Sequence, residues 1–229
     1  MIKSLLPKIT SQLDYFQPNT ITAYVNLYNY LIFRQNPEII KDIDRFTLDG
    51  ILMVRILNLI GGSAKRASPD FSSYFSEMFL FCEKFQKKLV FVGGSNSELV
   101  NFISQIEKSF PTLKIQGALD GYFSDEESNI IAKDILDMRP DIVILGLGTP
   151  KQEIFAILLK SMGFNGNIYT CGAFISQTAL KGVNYYPEII NTLHLRWLYR
   201  IFKEKKLLKR YFLLYPLSIW YLLIDYLRT

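Results

Sequence analysis

One histidine, His194, and two cysteines, Cys82 and Cys171, are all that the chain holds of the residues most used in metal sites and nucleophilic relays. That scarcity excludes a histidine-rich zinc site and a disulfide framework, and it points to a reducing compartment. Met1 to Thr10 contain no apolar run closed by small residues, so no secretory leader is expected, Met1 reads as the natural start, and the expected location is the cytoplasm. Repeats, low-complexity segments and proline- or serine-rich linkers are also missing. What remains is 229 residues, 49% hydrophobic and 21% charged, which suffice for one large domain, or one domain with an appendage, and exclude a disordered tail.

Charge is concentrated rather than spread. Between Arg196 and Arg210, seven lysines and arginines face Glu204 alone, and since the whole chain carries +5, the remainder is close to neutral. Such a block suits an anionic lipid surface, nucleic acid or a solvated helix face. Nucleic acid is not expected, because no reading motif accompanies it. From Tyr211 to Leu227 every residue except Pro216, Ser218 and Asp225 is apolar, with aromatics throughout. As a helix this stretch would reach about 25 Å, short of a hydrocarbon core of about 30 Å, so the reading is a surface-lying membrane contact rather than a span. A core-packed helix or an oligomer interface is the alternative.

The middle of the chain alternates strands and helices. Lys88 to Gly94 is a short apolar run closed by two glycines, and Ser95 with Glu98 forms a capping box for a helix ending near Phe110. Leu113 to Leu119 is a second strand before a helix opening at Ser124, and Asp141 to Gly148 a third. Thr149 is then the expected cap of a helix with Pro150 at its first position. Asn167 to Ala173 is a fourth strand. Earlier, Thr20 to Val25 and Arg45 to Leu48 read as strands, with helices over Asn26 to Gln35 and Gly50 to Ile60. The fold expected is α/β, a doubly wound Rossmann-like parallel sheet over residues 1–195, with residues 196–229 as a basic, aromatic, helical appendage that associates with membrane.

Ligands of such folds sit beyond the carboxyl ends of the strands. Three candidate sites fall there: Asp49-Gly50, Gly93-Gly94-Ser95, and Gly146-Leu-Gly-Thr-Pro-Lys-Gln-Glu153. Glycine lets a phosphate approach the backbone, and a helix N-terminus adds free N–H groups and partial positive charge, a combination suited to a diphosphate. Tight turns explain the glycines equally well. Gly146-x-Gly148 is no dinucleotide fingerprint and no Walker lysine occurs. Asp42-Ile-Asp44 has a spacing used for divalent metals but precedes its strand, and reads as a solvated helix end. His194 reads as a packing or surface residue.

On these residues the chain resembles the WecG/TagA/CpsF family of bacterial glycosyltransferases. The resemblance spans about Ile21 to Tyr211 and rests on Gly146 to Glu153, Gly117-Ala-Leu-Asp-Gly-Tyr-Phe123, Leu48-Asp-Gly50 and Trp197-Leu-Tyr-Arg200, with Arg66, Asp70 and Asn26. It implies inverting, metal-independent and cofactor-free transfer of an N-acetylmannosamine-type or related sugar from a UDP-sugar to a polyprenyl-diphosphate-linked sugar in cell-surface polysaccharide assembly. The enzyme would be peripheral on the inner face of the plasma membrane. By the same resemblance Asp49 is the base, and Arg66, Lys151 and helix N-termini stabilise leaving UDP. Asn26, Gly50, Gly93, Gly94, Asp120, Gly146, Gly148, Lys151, Gln152 and Glu153 bind substrate, while Arg196, Arg200, Lys206 and Arg210 face acceptor and membrane.

Departures from the family pattern are Ile175-Ser176 in place of an aspartate, Tyr185-Tyr186-Pro187 in place of an arginine before proline, Arg196 in place of a glutamate, and Tyr24 in place of a small hydroxyl residue. They leave the sugar as N-acetylmannosamine-type, another hexose or a uronic acid. A transferase with a soluble acceptor whose tail joins a homo-oligomer, and a non-catalytic nucleotide-sugar-binding partner, are the competing readings.

Overall fold

A computed structural model describes residues 1–60, 62–182 and 207–228. Six parallel strands form one sheet in the order β2-β1-β6-β5-β3-β4: β1 Ile21–Val25, β2 Arg45–Leu48, β3 Lys88–Gly93, β4 Lys114–Leu119, β5 Ile142–Gly146 and β6 Asn167–Thr170. Helices flank both faces: α1 Ile2–Leu5, α2 Leu27–Gln35, α3 Ile39–Asp42, α4 Ile51–Leu59, α5 Tyr74–Lys84, α6 Asn96–Ser109, α7 Ser128–Met138, α8 Lys151–Ser161 and α9 Phe174–Lys181. The expected doubly wound α/β fold is therefore present, and all the expected strands lie in it.

Burial alternates with the two-residue period of a strand. Val90, Val92, Val143, Leu145 and Ile168 pack into one core with α2, α4 and α8. Leu89, Phe91, Ile142, Ile144 and Tyr169 pack into the other with α5 and α6. Because both faces are covered, these strands read as continuous apolar runs. The second core is aromatic: Phe91 meets Phe79 and Phe102 edge-on, and Phe174 meets Phe71, Phe75 and Phe102. Helix starts follow local chemistry. Asn26 Oδ1 accepts from the Tyr28 and Asn29 N–H groups at 3.0 and 2.9 Å, and Ser95 and Glu98 make both halves of their capping box. Ser124 and Glu127 exchange the same reciprocal bonds, at 2.7 and 3.3 Å, but around a turn, and α7 begins only at Ser128.

Register fixes where the site lies. Val25 pairs with Leu48, Leu145 with Thr170, Val92 with Leu119 and Gly93 with Gly146. The residues just past these pairs therefore share one edge: Asn26, Asp49, Cys171, Gly94, Leu147 and Asp120. Asp44 lies at the opposite edge, accepting from Ile21 N and Lys160 Nζ at 2.7 Å each, away from any site at the strand ends.

The C-terminal helix, α10, runs from Leu207 to Leu227 and is 21 residues long, about 31 Å at 1.5 Å per residue. It is longer than the apolar pattern suggested, because it begins before Tyr211 and passes Pro216 through a π-helical stretch over Arg210–Leu214. By length and composition alone it is long enough to cross a membrane. One side of it docks on α2. Ser218 and Leu222 are fully buried, Asp225 accepts from Tyr30 Oη at 2.8 Å and from Arg34 at 3.1 and 3.3 Å, and Arg34 lies over the Tyr221 ring. The other side leaves Phe212, Leu213, Leu217, Trp220, Leu223 and Leu227 exposed.

Candidate active site

Every expected strand-end group lies on the edge where the strands terminate, and the edge divides into two halves. On the β1–β2 side stands Asp49, half-buried between two donors. Ser68 Oγ donates to its Oδ1 at 2.6 Å, and Asn26 Nδ2 approaches Oδ2 at 3.4 Å. Ala67 N donates to Leu48 O at 3.0 Å, which ties the segment carrying Ser68 to the end of β2. Arg66 enters the same segment and pairs with Asp70 at 3.0 Å, with a quarter of its side chain exposed. Oδ2 has only that one long contact.

On the other side, four consecutive strand ends present glycine. A Cβ on Gly121 would lie 2.7 Å from Gly93 Cα, one on Gly93 would lie 2.6 Å from Gly146 O, and one on Gly146 would lie 2.9 Å from Gly172 O. The backbones of β4, β3, β5 and β6 thus touch where they end, and only glycine permits it. Above them opens a cleft of about 220 Å³ lined by Gly94, Gly121, Gly146, Gly148, Gly172 and Ser176, among others. Its floor is bare backbone, and the N-termini of α6 and α8 adjoin it, which is the setting in which an anionic group can approach main chain. Gly50 and Gly148 have open space at their Cβ positions and positive φ of 88° and 76°, so they serve turns rather than close contact.

The remaining expected site residues are tied into the surrounding fold. Lys151 Nζ donates to Gly121 O at 3.3 Å and to Phe123 O, and sits 3.9 Å from the centroid of the Phe123 ring. It pins the loop that walls the cleft. Asp120 accepts from Asn96 N at 3.0 Å and Tyr122 N at 2.6 Å, joining the same loop to α6. Gln152 and Glu153 are fully buried beneath the floor. Gln152 Oε1 accepts from Gly172 N at 3.1 Å, and its Nε2 donates to Glu153 Oε1 at 2.8 Å and to Thr149 Oγ1 at 3.2 Å. Thr149 is not the helix cap expected: α8 starts after Pro150, and the threonine hydroxyl bonds Glu153 instead, at 3.2 Å. Burial pushes the Glu153 carboxyl up to about 7 against its three hydrogen bonds, and its Oε2 has no partner.

Of the acceptor and membrane group, Arg210 stacks over the Tyr28 ring at 3.8 Å, close to the start of α2 and so to the site edge. Arg196, Arg200, Lys206, His194, Tyr185, Tyr186 and Trp197 lie outside the described residues. Among the described residues no three His, Cys, Asp or Glu side chains converge. Sequence reasoning missed Ser68, which no motif marks, and Gly172, whose closeness to Gly146 only the sheet order reveals.

The model of the Glycosyl transferase WecG/TagA/CpsF family matches residues 2–229. The UDP-Gal:alpha-D-GlcNAc-diphosphoundecaprenol beta-1,4-galactosyltransferase of Shigella boydii is 33% identical over 220 residues, covering 94% of this chain and 92% of that one. The N-acetylglucosaminyldiphosphoundecaprenol N-acetyl-beta-D-mannosaminyltransferase of Bacillus subtilis (strain 168) is 26% identical over 213 residues, covering 84% and 78%. The enzyme of the same description from Bacillus spizizenii is 27% identical over 171 residues, covering 73% and 65%.

Proposed function

The chain belongs to the WecG/TagA/CpsF family of glycosyl transferases, and we propose that it moves one sugar, with inversion and without a metal, from a UDP-sugar to polyprenyl-diphosphate-linked N-acetylglucosamine in the assembly of a bacterial cell-surface polysaccharide. The observation that carries this reading is the shared edge: a carboxylate held by Ser68 and Asn26 on one side and a glycine-floored cleft on the other. The acceptors printed for the three relatives support the choice of lipid-linked acceptor.

In this reading the UDP diphosphate lies over the glycine floor, where backbone and the helix ends of α6 and α8 meet it. The acceptor hydroxyl gives its proton to Asp49 Oδ2 as its oxygen bonds to the anomeric carbon from the face opposite UDP. The anomeric C–O bond breaks, and its electron pair leaves on the β-phosphate oxygen. Positive helix ends and the cations Lys151 and Arg66 oppose that charge. Ser68 and Asn26 orient the base. Arg210, at the site edge where α10 begins, and the exposed apolar side of α10 bring the site to the cytoplasmic face of the membrane that holds the acceptor.

The test is release of UDP from a panel of UDP-sugars with a short-chain lipid-diphosphate N-acetylglucosamine. Turnover that requires both substrates is the expected result. Binding of UDP-sugar without turnover on any acceptor would instead support the non-catalytic reading.

A further inference from the structure

The glycine row ends abruptly. Strand order runs from β4 through β3 and β5 to β6 with glycine at each end, and the next strand, β1, brings a tyrosine to that edge. Tyr24 lies on β1, two residues before Asn26, and its hydroxyl is pressed against Gly172 so closely that a Cβ there would collide with it. Asn29 Nδ2 reaches the backbone Tyr24 O at 3.4 Å, so the strand end that carries the ring is braced from α2. Burial, and then the carboxylates of Glu153 and Asp49, push the phenol up. Glu153 lies beneath the cleft, and Asp49 follows the end of the neighbouring strand.

This placement makes Tyr24 the boundary between the two halves of the site. A donor whose diphosphate lies on the glycine floor, and whose anomeric carbon must face a hydroxyl next to Asp49, has to set its sugar ring against Tyr24. Resting on the transferase reading above, the geometry points to Tyr24 as the residue that selects the donor sugar, admitting a hexose with free ring hydroxyls and excluding one that carries an N-acetyl group. An acetamido group needs room for four heavy atoms where a hydroxyl needs one. Here that room is taken by a ring pressed against Gly172 on a strand end held by Asn29 of α2, so it has little freedom to withdraw. Another aromatic ring lining the cleft, Tyr122, lies on the β4 side, and Gly172 beside Tyr24 has no side chain to keep the restriction if Tyr24 were removed.

The experiment compares UDP-galactose and UDP-glucose with UDP-N-acetylglucosamine and UDP-N-acetylmannosamine, in the full-length protein, with a short-chain lipid-diphosphate N-acetylglucosamine acceptor. Wild type should favour one of the unsubstituted hexoses over both N-acetyl donors by 10-fold or more in kcat/KM. Tyr24→Ser should cut that preference at least 10-fold, through a gain on an N-acetyl donor. Tyr24→Phe, which keeps the ring, should hold it within about threefold. A wild-type preference for an N-acetyl donor overturns the proposal without any variant. So does a Tyr24→Ser protein of unchanged melting temperature that loses activity on both donor classes alike, or a Tyr24→Phe protein that relaxes as far as Tyr24→Ser. If no sugar nucleotide of either class is consumed although UDP binds, the transferase reading itself fails and the selectivity with it.

Discussion

Ser68 Oγ donates to Asp49 Oδ1 at 2.6 Å across 19 residues of chain, so the strand-end carboxylate is oriented by a serine from the loop after α4. Asp49→Asn should keep the fold and UDP affinity and lower turnover by about 10²-fold or more, the scale for loss of a general base. Ser68→Ala should cost about 10-fold, because Asn26 remains to hold the carboxylate and a hydrogen bond to a charged group contributes about 1.5–3 kcal/mol. Steady-state turnover beside isothermal titration with UDP checks both. Near wild-type turnover in Asp49→Asn would remove Asp49 as base.

The glycine row gives a graded stability prediction. Gly93→Ala would put a methyl 2.6 Å from Gly146 O at a φ of 147°, with backbone on both sides, and should destabilise the protein by about 2–3 kcal/mol. Gly148→Ala meets open space and carries only the cost of a left-handed φ of 76°, about 1 kcal/mol. Urea unfolding midpoints at constant m-value should rank the two in that order. Equal costs would mean that the strand ends are not in contact.

Glu153 should make stability depend on pH. Its carboxyl is raised by burial to about 7 from an ordinary 4.5. The native state therefore holds a proton that the unfolded state releases between those values. The stabilisation is fully present below about pH 4.5, declines as pH rises and is gone above about 7, an amplitude of roughly 3 kcal/mol. Glu153→Gln keeps an oxygen to accept from Gln152 and Thr149. Melting temperatures should show the variant matching wild type at pH 5 and exceeding it at pH 8. A wild-type curve flat across that window would show Glu153 ionised in the fold.

Activity should survive EDTA within about twofold, because helix ends, Lys151 and Arg66 oppose the charge of leaving UDP. Loss with EDTA and recovery with Mg²⁺ or Mn²⁺ in a UDP-release assay would require a bound divalent ion instead.

Much of this was legible beforehand, for physical reasons. A strand buried on both faces must be apolar along its length, so Asp141 to Gly148 announced itself, and the Ser95 and Glu98 pair marked a helix start from local hydrogen bonding alone. Helices α5 and α9 were not anticipated, since their apolar residues join an aromatic core that only tertiary packing defines. The same limit applies to the site. Lys151, Gln152 and Glu153 share one motif, but Lys151 turns to the Gly121–Phe123 loop while Gln152 and Glu153 turn beneath the floor, and sequence carries no sign of that division. Tyr24 stood out only as a departure from a family pattern, because its place beside Gly172 depends on β6 lying next to β1.

The two sides of α10 are chemically opposed. The inner side fixes it to α2 through Asp225, Arg34 and Tyr30, a charge pair flanked by the buried Leu222, which suits a helix docked on its own domain. The outer side exposes Phe212, Leu213, Leu217 and Trp220, with Trp220 at 62%. Apolar burial at an interface, joined to about 1 kcal/mol for each lysine or arginine near an anionic surface, is sufficient for reversible attachment. Replacing Phe212, Leu217 and Trp220 by serine should therefore abolish sedimentation with anionic vesicles while leaving Asp225 and its partners in place. The same protein should keep its activity on a short, water-soluble acceptor and lose it on a long-chain acceptor embedded in vesicles. Raising salt should weaken vesicle binding of the wild type, since the cationic share is screened. A wild-type protein that ignores anionic vesicles and forms an oligomer, which the triple variant dissolves, would make the outer side of α10 a subunit interface instead.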